Sequence, residues 1–550
     1  MTEPKHLGVV AAPHHLASET GIEVLRRGGN AFDAAVAVSL AIGVVQPYHS
    51  GIGGGCSATY LTADGTRGSV GARGSAPQRL ERSMFLGADG SPEHHLAHAG
   101  GLAVAVPALI RGLRALHDSR GRLPWREVCS APVPLARDGF YTDFYMQRVS
   151  NRAPTVEKLA RYAKSTPFER PLSEGEYLKQ PQLAATLELL ADDPDSLYTG
   201  EIGQAIVERV QDLGGVLSNS DLETYRPQHQ ALLEGSYRGW QILTPAVPTI
   251  GALQVMLSLQ ILDHFAIEEL TPGSAEHLHL VAEALKLSYR ARAGLTGDAD
   301  ALSFADRRRA AALAKEITLE RTTPFAAHRN ALDEGSCTSH FCVADADGNV
   351  VSQTQTVRNH FGSGVVEPTS GIVLNDMIGD FSLEVGGATD QGVRYRDYNL
   401  LEPGAEPASS QSPVLALNPT TGDVVAAGAA GGPRIVSATL QALVNRIDFG
   451  MDLRACAGAA RVHCHGPEVE VEPPLDRAVS GRLEALGHRI RPEAGIAIMQ
   501  IVERQGGSLA GAADPRGPGA ATVLMRRGES VYARSYGYQR LVMGAANVRI

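Results

Sequence analysis

Cysteine and lysine are scarce in this chain of 550 residues, and each shortage argues against a class of protein. The 6 cysteines include no Cys-x-x-Cys pair, which disfavours both a disulfide-stapled fold and a zinc ribbon. Nearly all of the 50 basic residues are arginines scattered along the chain, and the net charge is −10. We therefore expect no nucleic-acid partner.

Long apolar runs are missing as well. The most apolar early stretch, Ala31–Val45, is too short to span a bilayer and is interrupted by Asp33. The N-terminus, MTEPKHLGVVAAPHH, lacks the charged and then apolar regions of a secretion signal. These features predict a cytoplasmic protein that does not contact a membrane.

What is present fits a soluble globular protein, because hydrophobic residues make up 43% and charged residues 20% of the chain. The length permits two or three domains, or one large layered α/β body. The pattern of Leu16–Arg27 predicts a helix that two glycines end, and Ala31–Val45 predicts a helix buried on all sides.

The remaining chain divides into a helical part and a strand-rich part. Residues 100–320 are mostly helical by pattern, with a strand predicted from Ser236 in the run SYRGWQIL. Residues 321–337 show no periodicity and predict a linker. Residues 338–550 are rich in Val, Thr, Ser and Gly in short alternating runs, which predicts strands.

Two motifs suggest ligands but have simpler interpretations. The GIGGG run at residues 51–55 lacks the lysine of a phosphate-binding loop and follows a helix, so it predicts a tight turn. In the run His463-Cys464-His465, side chains alternate between the faces of a strand, so only the two histidines could share a metal. We expect no metal there.

A third motif has the spacing of a calcium loop. Asp345, Asp347 and Asn349 match its first three ligand positions, but Val350 replaces the required glycine and Thr356 replaces the final glutamate. The run DADGN therefore predicts the turn of a β-hairpin.

The segment from Thr338 to Thr356, TSHFCVADADGNVVSQTQT, is the most informative part of the sequence. Two strand-like runs flank a turn centred on Asp347, and each threonine lies nine residues from that centre. A symmetric hairpin would place the two threonines opposite each other at its open end.

The linker that ends at Cys337 feeds directly into Thr338, as a self-cleaving precursor requires. Cleavage before Thr338 would leave its α-amine free beside its own hydroxyl. The amine could then act as the general base for a threonine nucleophile.

The chain resembles the gamma-glutamyltranspeptidase family of N-terminal nucleophile hydrolases nearly from end to end. The blocks that match the family, in its order, are LRRGGNAFDAAVAVSLAIGVVQP, GIGGGCSATYL, GARGSAPQRL, PLARDGF, SNSDLETYRP, TSHFCVADADGNVVSQTQT, FGSGVVEPTSGIVLNDMIGDFS, ASSQSPVLAL, GAAGGPRI and ARVHCHGPEVEVE.

This resemblance implies an α/β fold, the four-layer αββα sandwich. It also implies self-cleavage between Cys337 and Thr338 into a large subunit (1–337) and a small subunit (338–550) that together form one body. By position, Thr338 matches the nucleophile, Thr356 matches the threonine that helps to activate it, and Gly431-Gly432 match the oxyanion hole.

The resemblance further implies a site for an amino-acid-like substrate. Arg73 matches the arginine that holds the substrate α-carboxylate, and Ser409 and Ser410 match a serine pair that also contacts it. Asp380 matches the carboxylate that pairs with the α-ammonium. No cofactor and no metal are implied.

Two positions depart from the family's pattern. Arg358 replaces an asparagine two residues after Thr356, and Met377 replaces a glutamine or glutamate three residues before Asp380. Both positions normally help to hold the amino end of the substrate. A cation at 358 is unfavourable beside an ammonium unless it pairs with Asp380.

The sequence therefore predicts a self-processing threonine hydrolase or acyltransferase that keeps the family mechanism with an altered small-molecule substrate. An additional substrate carboxylate for Arg358 and a role in a bacterial natural-product pathway are expected, with cleavage of a C–C bond beside a carbonyl as one option. Two alternatives stay open: an ordinary γ-glutamyltransferase or glutathione hydrolase, and an unprocessed pseudoenzyme that only binds a small acid.

Overall fold

The computed structural model describes residues 4–230, 232–324, 337–389 and 391–537. Most of its strands form two large antiparallel sheets. In chain order the strands are β1 (Lys5–Ala12), β2 (Gly55–Leu61), β3 (Arg67–Ala72), β4 (Phe140–Tyr141), β5 (Tyr177–Leu178), β6 (Gln228–Gln230), β7 (Leu232–Tyr237), β8 (Trp240–Pro245), β9 (Ser339–Asp345), β10 (Val350–Thr356), β11 (Val414–Leu417), β12 (Val424–Ala430), β13 (Val462–His463), β14 (Glu468–Val471), β15 (Arg489–Pro492), β16 (Ile498–Gln505), β17 (Ser508–Ala513), β18 (Ala520–Arg527) and β19 (Ser530–Gly537).

Helices cover the outer faces of both sheets. Within the described ranges, no helix combines the length and the hydropathy needed to cross a bilayer. In chain order they are α1 (His15–Arg26), α2 (Ala31–Val45), α3 (Pro47–Ser50), α4 (Leu109–Arg120), α5 (Trp125–Ser130), α6 (Val133–Asp138), α7 (Phe144–Ser150), α8 (Ala153–Tyr162), α9 (Pro181–Asp192), α10 (Ser196–Thr199), α11 (Glu201–Asp212), α12 (Asn219–Thr224), α13 (Ile250–Leu262), α14 (Ala275–Ala293), α15 (Asp298–Leu302), α16 (Arg307–Ala314), α17 (Arg434–Ile447), α18 (Leu453–Gly458) and α19 (Arg477–Ala485).

Three apolar cores separate four layers. The first sheet has the strand order β19-β18-β1-β9-β10-β2-β3-β6, and the second has the order β17-β16-β12-β11-β8-β7. One core lies between the first sheet and the helices around α2, a second lies between the sheets, and a third joins the second sheet to α13, α14 and α17. The predicted αββα sandwich is confirmed.

The local sequence explains several elements. Helix α2 covers the predicted range and is buried along its whole length, and a capping box between Asn30 and Asp33 fixes its start. The strand predicted from Ser236 is confirmed as strand but is interrupted by a turn. Ser236 and Tyr237 end β7, Arg238 and Gly239 form the hairpin turn with positive φ values of 48° and 79°, and β8 begins at Trp240.

The part after Thr338 contains the predicted strands but also the long helix α17. Of the predicted linker 321–337, residues 325–336 lie outside the described residues. The DADGN run forms the predicted hairpin turn, in which the Asp345 carboxylate accepts hydrogen bonds from the backbone N–H groups of Asp347, Gly348 and Asn349.

The GIGGG run is the tight turn that the sequence predicts, and it supports the end of β10. A Cβ on Gly54 would lie 2.1 Å from the carbonyl oxygen of Thr356, and one on Gly53 would lie 2.4 Å from that of Val373. Glycine is required there because two backbones approach closely.

Candidate active site

The open end of the β9–β10 hairpin brings Thr338 and Thr356 together. Gln355 pairs with Ser339, so the same register places the two threonines opposite each other. Their hydroxyl oxygens lie 3.4 Å apart, and both side chains are buried. The symmetric register predicted from the sequence is confirmed.

Both hydroxyls point at the carbonyl group of Cys337, which the peptide bond joins to Thr338. The Thr356 hydroxyl donates a hydrogen bond of 2.7 Å to the Cys337 oxygen, and the Thr338 hydroxyl also contacts it. The Thr356 oxygen accepts from the backbone N–H of Arg358 at 2.8 Å. Thr356 therefore polarises the carbonyl that Thr338 would attack.

Gly431 and Gly432 connect β12 to the start of α17, beside Thr338. Their φ values are 143° and 55°, and a Cβ on Gly431 would lie 2.9 Å from Ala497. Gly432 and Thr338 line one cavity, while Gly431 and Thr338 line a second. Backbone N–H groups at a helix start suit a developing oxyanion, which is the role that the resemblance implies.

The cavity that Gly432 lines, here called the acyl cavity, contains most of the predicted substrate residues. Its volume is about 40 Å³ in the uncut chain, room for only a few water molecules. Cys337 lines it as well, so the uncut chain itself restricts the space beside Thr338. The predicted residues on its wall are Arg73, Cys337, Thr338, Thr356, Arg358, Asp380, Ser409, Ser410 and Gly432.

Asp380 is held between two arginines. One of its carboxylate oxygens accepts from Arg73 Nη2 at 2.6 Å, and the other accepts from Arg358 Nε at 2.8 Å. Arg73 is only 1% exposed, and its Nε and Nη1 atoms have no hydrogen-bond partner among the residues that the structure describes. An anion is the group that would satisfy those buried donors.

Arg358 is an internal cation that pairs with Asp380, the arrangement under which the sequence tolerates a charge at this position. The additional substrate carboxylate expected for it stays a prediction. Besides Asp380, it contacts the Asp376 carboxylate at 3.2 Å and the Gly379 carbonyl oxygen at 2.8 Å. It is 3% exposed and has a φ of 84°, which favours asparagine or glycine over arginine.

Met377 is the predicted substrate-binding residue that the structure does not bring to the acyl cavity. Its side chain is fully buried in an apolar cluster with Ala76, Leu80, Phe85 and Phe381. Asp380, the last residue of the short 3₁₀ turn Met377–Asp380, reaches the two arginines, whereas Met377 packs in this apolar cluster.

Sequence reasoning missed Arg292, which enters the acyl cavity from helix α14. Its Nη1 donates to the Ser410 hydroxyl at 2.9 Å and to Gln254 at 2.8 Å, and its Nε donates to the Tyr395 hydroxyl at 3.0 Å. All three partners are neutral, so a second positive charge lies behind the serine pair. No local motif marks it, because it is remote in sequence from each block of the site.

Three clusters of possible metal ligands occur among the described residues, and each has a cation beside it. Arg434 pairs with Glu470 at 2.6 Å, Lys286 with Glu283 at 2.7 Å, and Arg152 lies 3.4 Å from His360. Such cations compete with a metal for the same ligands. The clusters are His463–His465–Glu470, His279–Glu283–His488 and His49–Cys337–His360.

His463 and His465, the two histidines expected to lie on one face, are in contact, with ring nitrogens 2.6 Å apart. That the enzyme needs no metal or cofactor stays a prediction.

Comparison with known proteins agrees with this geometry. The family model described as gamma-glutamyltranspeptidase matches residues 17–524. The chain belongs to the gamma-glutamyltranspeptidase family. It is therefore an enzyme of the self-processing hydrolase and transferase type that this family comprises.

Relatives with two different names are equally similar to this chain. It is 32% identical over 524 residues to the glutathione hydrolase proenzyme of Escherichia coli strain K12, covering 92% of this chain and 90% of that protein. It is equally 32% identical over 539 residues to the acylase ACY 1 proenzyme of Pseudomonas sp. strain SE83, covering 94% and 93%. The cephalosporin acylase of Bacillus halodurans has a similar structure, with a TM-score of 0.81, 25% identity and coverage of 98% and 97%.

The buried acid Glu406, which interacts with the charge of Arg73, should make the stability of the protein depend on pH. Burial raises the pKa of Glu406 from 4.5 to about 7, although a hydrogen bond from Tyr225 and the charge of Arg73 oppose the rise. The pKa of this carboxyl is higher in the folded chain than in the unfolded chain. Its ionisation therefore lowers the free energy of unfolding as the pH increases from 4.5 through 7, by about 3 kcal/mol in total.

We expect Glu406→Gln to remove that loss, since the amide keeps the acceptor for Tyr225 without a charge. Urea unfolding of both proteins at pH 5 and pH 8, in a Thr338→Ala background that avoids subunit dissociation, measures the effect. The variant should gain stability relative to its parent at the higher pH. Parallel pH profiles would contradict the assignment.

Proposed function

We propose that the chain cleaves itself between Cys337 and Thr338 into the subunits 1–337 and 338–550. The Thr338 oxygen would add to the Cys337 carbonyl carbon, and the C–N bond would break with proton transfer to the amine. Water would then hydrolyse the resulting ester. The contacts of both threonine hydroxyls with the Cys337 oxygen support this step.

Cleavage would free the α-amine of Thr338 and remove Cys337 from the acyl cavity. The amine takes the hydroxyl proton as Thr338 attacks a substrate carbonyl, and it passes that proton to the leaving amine. Gly431 and Gly432 stabilise the oxyanion, where one lost donor typically costs about 2.7–4 kcal/mol. Water or a second amine resolves the acyl-enzyme.

We propose that the preferred acyl group ends in a carboxylate and lacks an α-ammonium. The single observation behind this proposal is the pairing of Asp380 with both Arg73 and Arg358. The carboxylate that would receive an ammonium already has an internal cation, whereas two buried donors of Arg73 find no acceptor within the described part of the chain. Ser409, Ser410 and Arg292 add further donors or positive charge around the substrate carboxylate.

Glutaryl-p-nitroanilide and γ-glutamyl-p-nitroanilide test this proposal, because they differ only by the α-amine. We expect kcat/KM to be at least about tenfold higher for the glutaryl compound, since an ammonium would lie beside Arg358. Equal values, or a preference for γ-glutamyl, would reject it.

The second candidate is an ordinary glutathione hydrolase, which the name of the Escherichia coli relative favours. Efficient hydrolysis of glutathione would support this second candidate over the proposed substrate preference. A single band on a denaturing gel would instead indicate the unprocessed pseudoenzyme. The cytoplasmic location, the natural-product pathway and the cleavage of a C–C bond stay predictions.

A further inference from the structure

Tyr289, on helix α14, contacts the turn that carries Gly431 and Gly432. Its hydroxyl donates a hydrogen bond of 2.6 Å to the carbonyl oxygen of Pro433, the residue after Gly432. The side chain is buried, and its ring packs edge-on against that of His463, with the ring centroids 5.8 Å apart. This packing fixes the hydroxyl beside the turn between β12 and α17.

The hydroxyl of Tyr289 is the donor in this bond, because a carbonyl oxygen can only accept. Burial raises the pKa of Tyr289 above its ordinary value, so the hydroxyl keeps its proton around neutral pH. The hydrogen bond to Pro433 is therefore insensitive to pH in that range.

Two peptide groups link the Pro433 carbonyl to the N–H of Gly432. The peptide between Pro433 and Arg434 contains both the carbonyl that accepts from Tyr289 and the N–H of Arg434. That N–H donates to the carbonyl oxygen of Gly431 at 3.1 Å. The peptide between Gly431 and Gly432 contains this carbonyl and the N–H of Gly432. One chain of hydrogen bonds thus runs from Tyr289 to the peptide that carries the Gly432 N–H.

The planarity of the peptide groups gives this chain a direction. Both peptides are trans, so in each of them the C=O and the N–H point in opposite directions. Because the Gly431 carbonyl points at the N–H of Arg434, at the start of α17, the Gly432 N–H points away from that helix. Gly432 lines the acyl cavity together with Thr338. Each hydrogen bond of such a chain also polarises the next one.

The turn depends on groups outside it for its shape. Gly431 and Gly432 have no side chains that could hold it by packing, and glycine allows many backbone conformations. The side chain of Arg434 pairs with Glu470 at 2.6 Å and with Glu493 at 2.9 Å, which anchors one side of the turn. Tyr289 holds the same peptide group through its carbonyl.

We propose that Tyr289 is a positioning residue for the oxyanion hole, whose hydroxyl fixes the orientation of the Gly432 N–H through two peptide groups. The role of Gly432 as a donor to the oxyanion rests on the proposed function. Self-cleavage has a different donor, because Thr356 donates to the Cys337 oxygen at 2.7 Å in the uncut chain. Tyr289 therefore serves substrate turnover rather than self-cleavage.

Tyr289→Phe removes the hydroxyl and keeps the ring. The substrate is whichever p-nitroanilide, glutaryl or γ-glutamyl, the wild type hydrolyses faster. We expect kcat to fall at least about tenfold, because a deleted oxyanion donor costs about 10²–10³ and a misdirected donor costs part of that. KM should not change, since the oxyanion develops only in the transition states of acylation and deacylation. Self-cleavage should keep its wild-type rate.

Tyr237→Phe is the matched control. Tyr237 is also buried, and its hydroxyl donates to the Asp448 carboxylate at 2.6 Å, at the opposite end of α17. The two variants should lose similar stability in urea, but Tyr237→Phe should keep the wild-type kcat.

Replacing Tyr289 by 4-aminophenylalanine keeps a donor at the same place and should restore most of kcat. If Tyr289→Phe does not fold, 4-fluorophenylalanine at this position takes its place in the comparison, because it fills the space of the hydroxyl but cannot donate a hydrogen bond.

Four results would overturn the proposal while the proposed function stands. They are an unchanged kcat in Tyr289→Phe, an equal fall in Tyr237→Phe, no recovery with 4-aminophenylalanine, and a loss of self-cleavage as large as the loss of turnover. A wild type that is not cut, or that hydrolyses neither anilide, would refute the proposed function and the role of Tyr289 together.

Discussion

Thr338→Ala should leave the protein as one uncut polypeptide. The wild type should yield two chains, residues 1–337 and 338–550, the second beginning Thr-Ser-His-Phe. The alanine lacks the oxygen that would attack the Cys337 carbonyl, so no ester can form. A denaturing gel and N-terminal sequencing measure the outcome, which should be all or none.

Two further variants make the test specific. Thr338→Ser keeps a hydroxyl and should still cleave, although more slowly. Thr356→Val keeps the shape of the side chain but removes the 2.7 Å hydrogen bond to the Cys337 oxygen, so cleavage should slow without being abolished. Cleavage of Thr338→Ala at the same bond would disprove that Thr338 is the nucleophile.

Arg358→Asn should shift the substrate preference from glutaryl toward γ-glutamyl anilides by at least about tenfold. Removing the cation leaves Asp380 with Arg73 alone, so an ammonium can pair with its second oxygen. Asparagine also tolerates the positive φ of 84° at this position better than arginine does. The ratio of kcat/KM values for the two anilides measures the change.

Arg358→Lys is the matched control, because it keeps a positive charge but loses the planar fork. We expect it to retain the wild-type preference for the acyl group without an amine. The asparagine variant should also lose stability, by about 3–5 kcal/mol, because Asp376 and Asp380 lose a buried partner. An unchanged substrate ratio in Arg358→Asn would mean that Arg358 does not determine specificity.

We do not expect a substitution at Met377 to increase the shift in preference from glutaryl toward γ-glutamyl anilides. The residue packs in an apolar cluster away from the cavity, so a glutamine there would bury an amide among hydrocarbon groups. The position was linked to the substrate only by its spacing from Asp380.

The sequence by itself determined the features that depend on neighbouring residues. Strand alternation and the DADGN turn define the register that pairs Thr338 with Thr356, because a hairpin leaves no freedom once its turn is set. The wholly apolar α2 could be predicted for the same reason. The ordered motif blocks likewise identified the family and placed Arg73, Asp380 and the serine pair.

Only the tertiary structure decided which charges meet. Arg73, Arg358 and Asp380 lie on three separate segments, so their pairing depends on how these segments pack. Arg292 arrives on a helix with no motif of its own. The pairing of the two threonines thus follows from local order, whereas the charges around them depend on long-range packing that brings distant residues together.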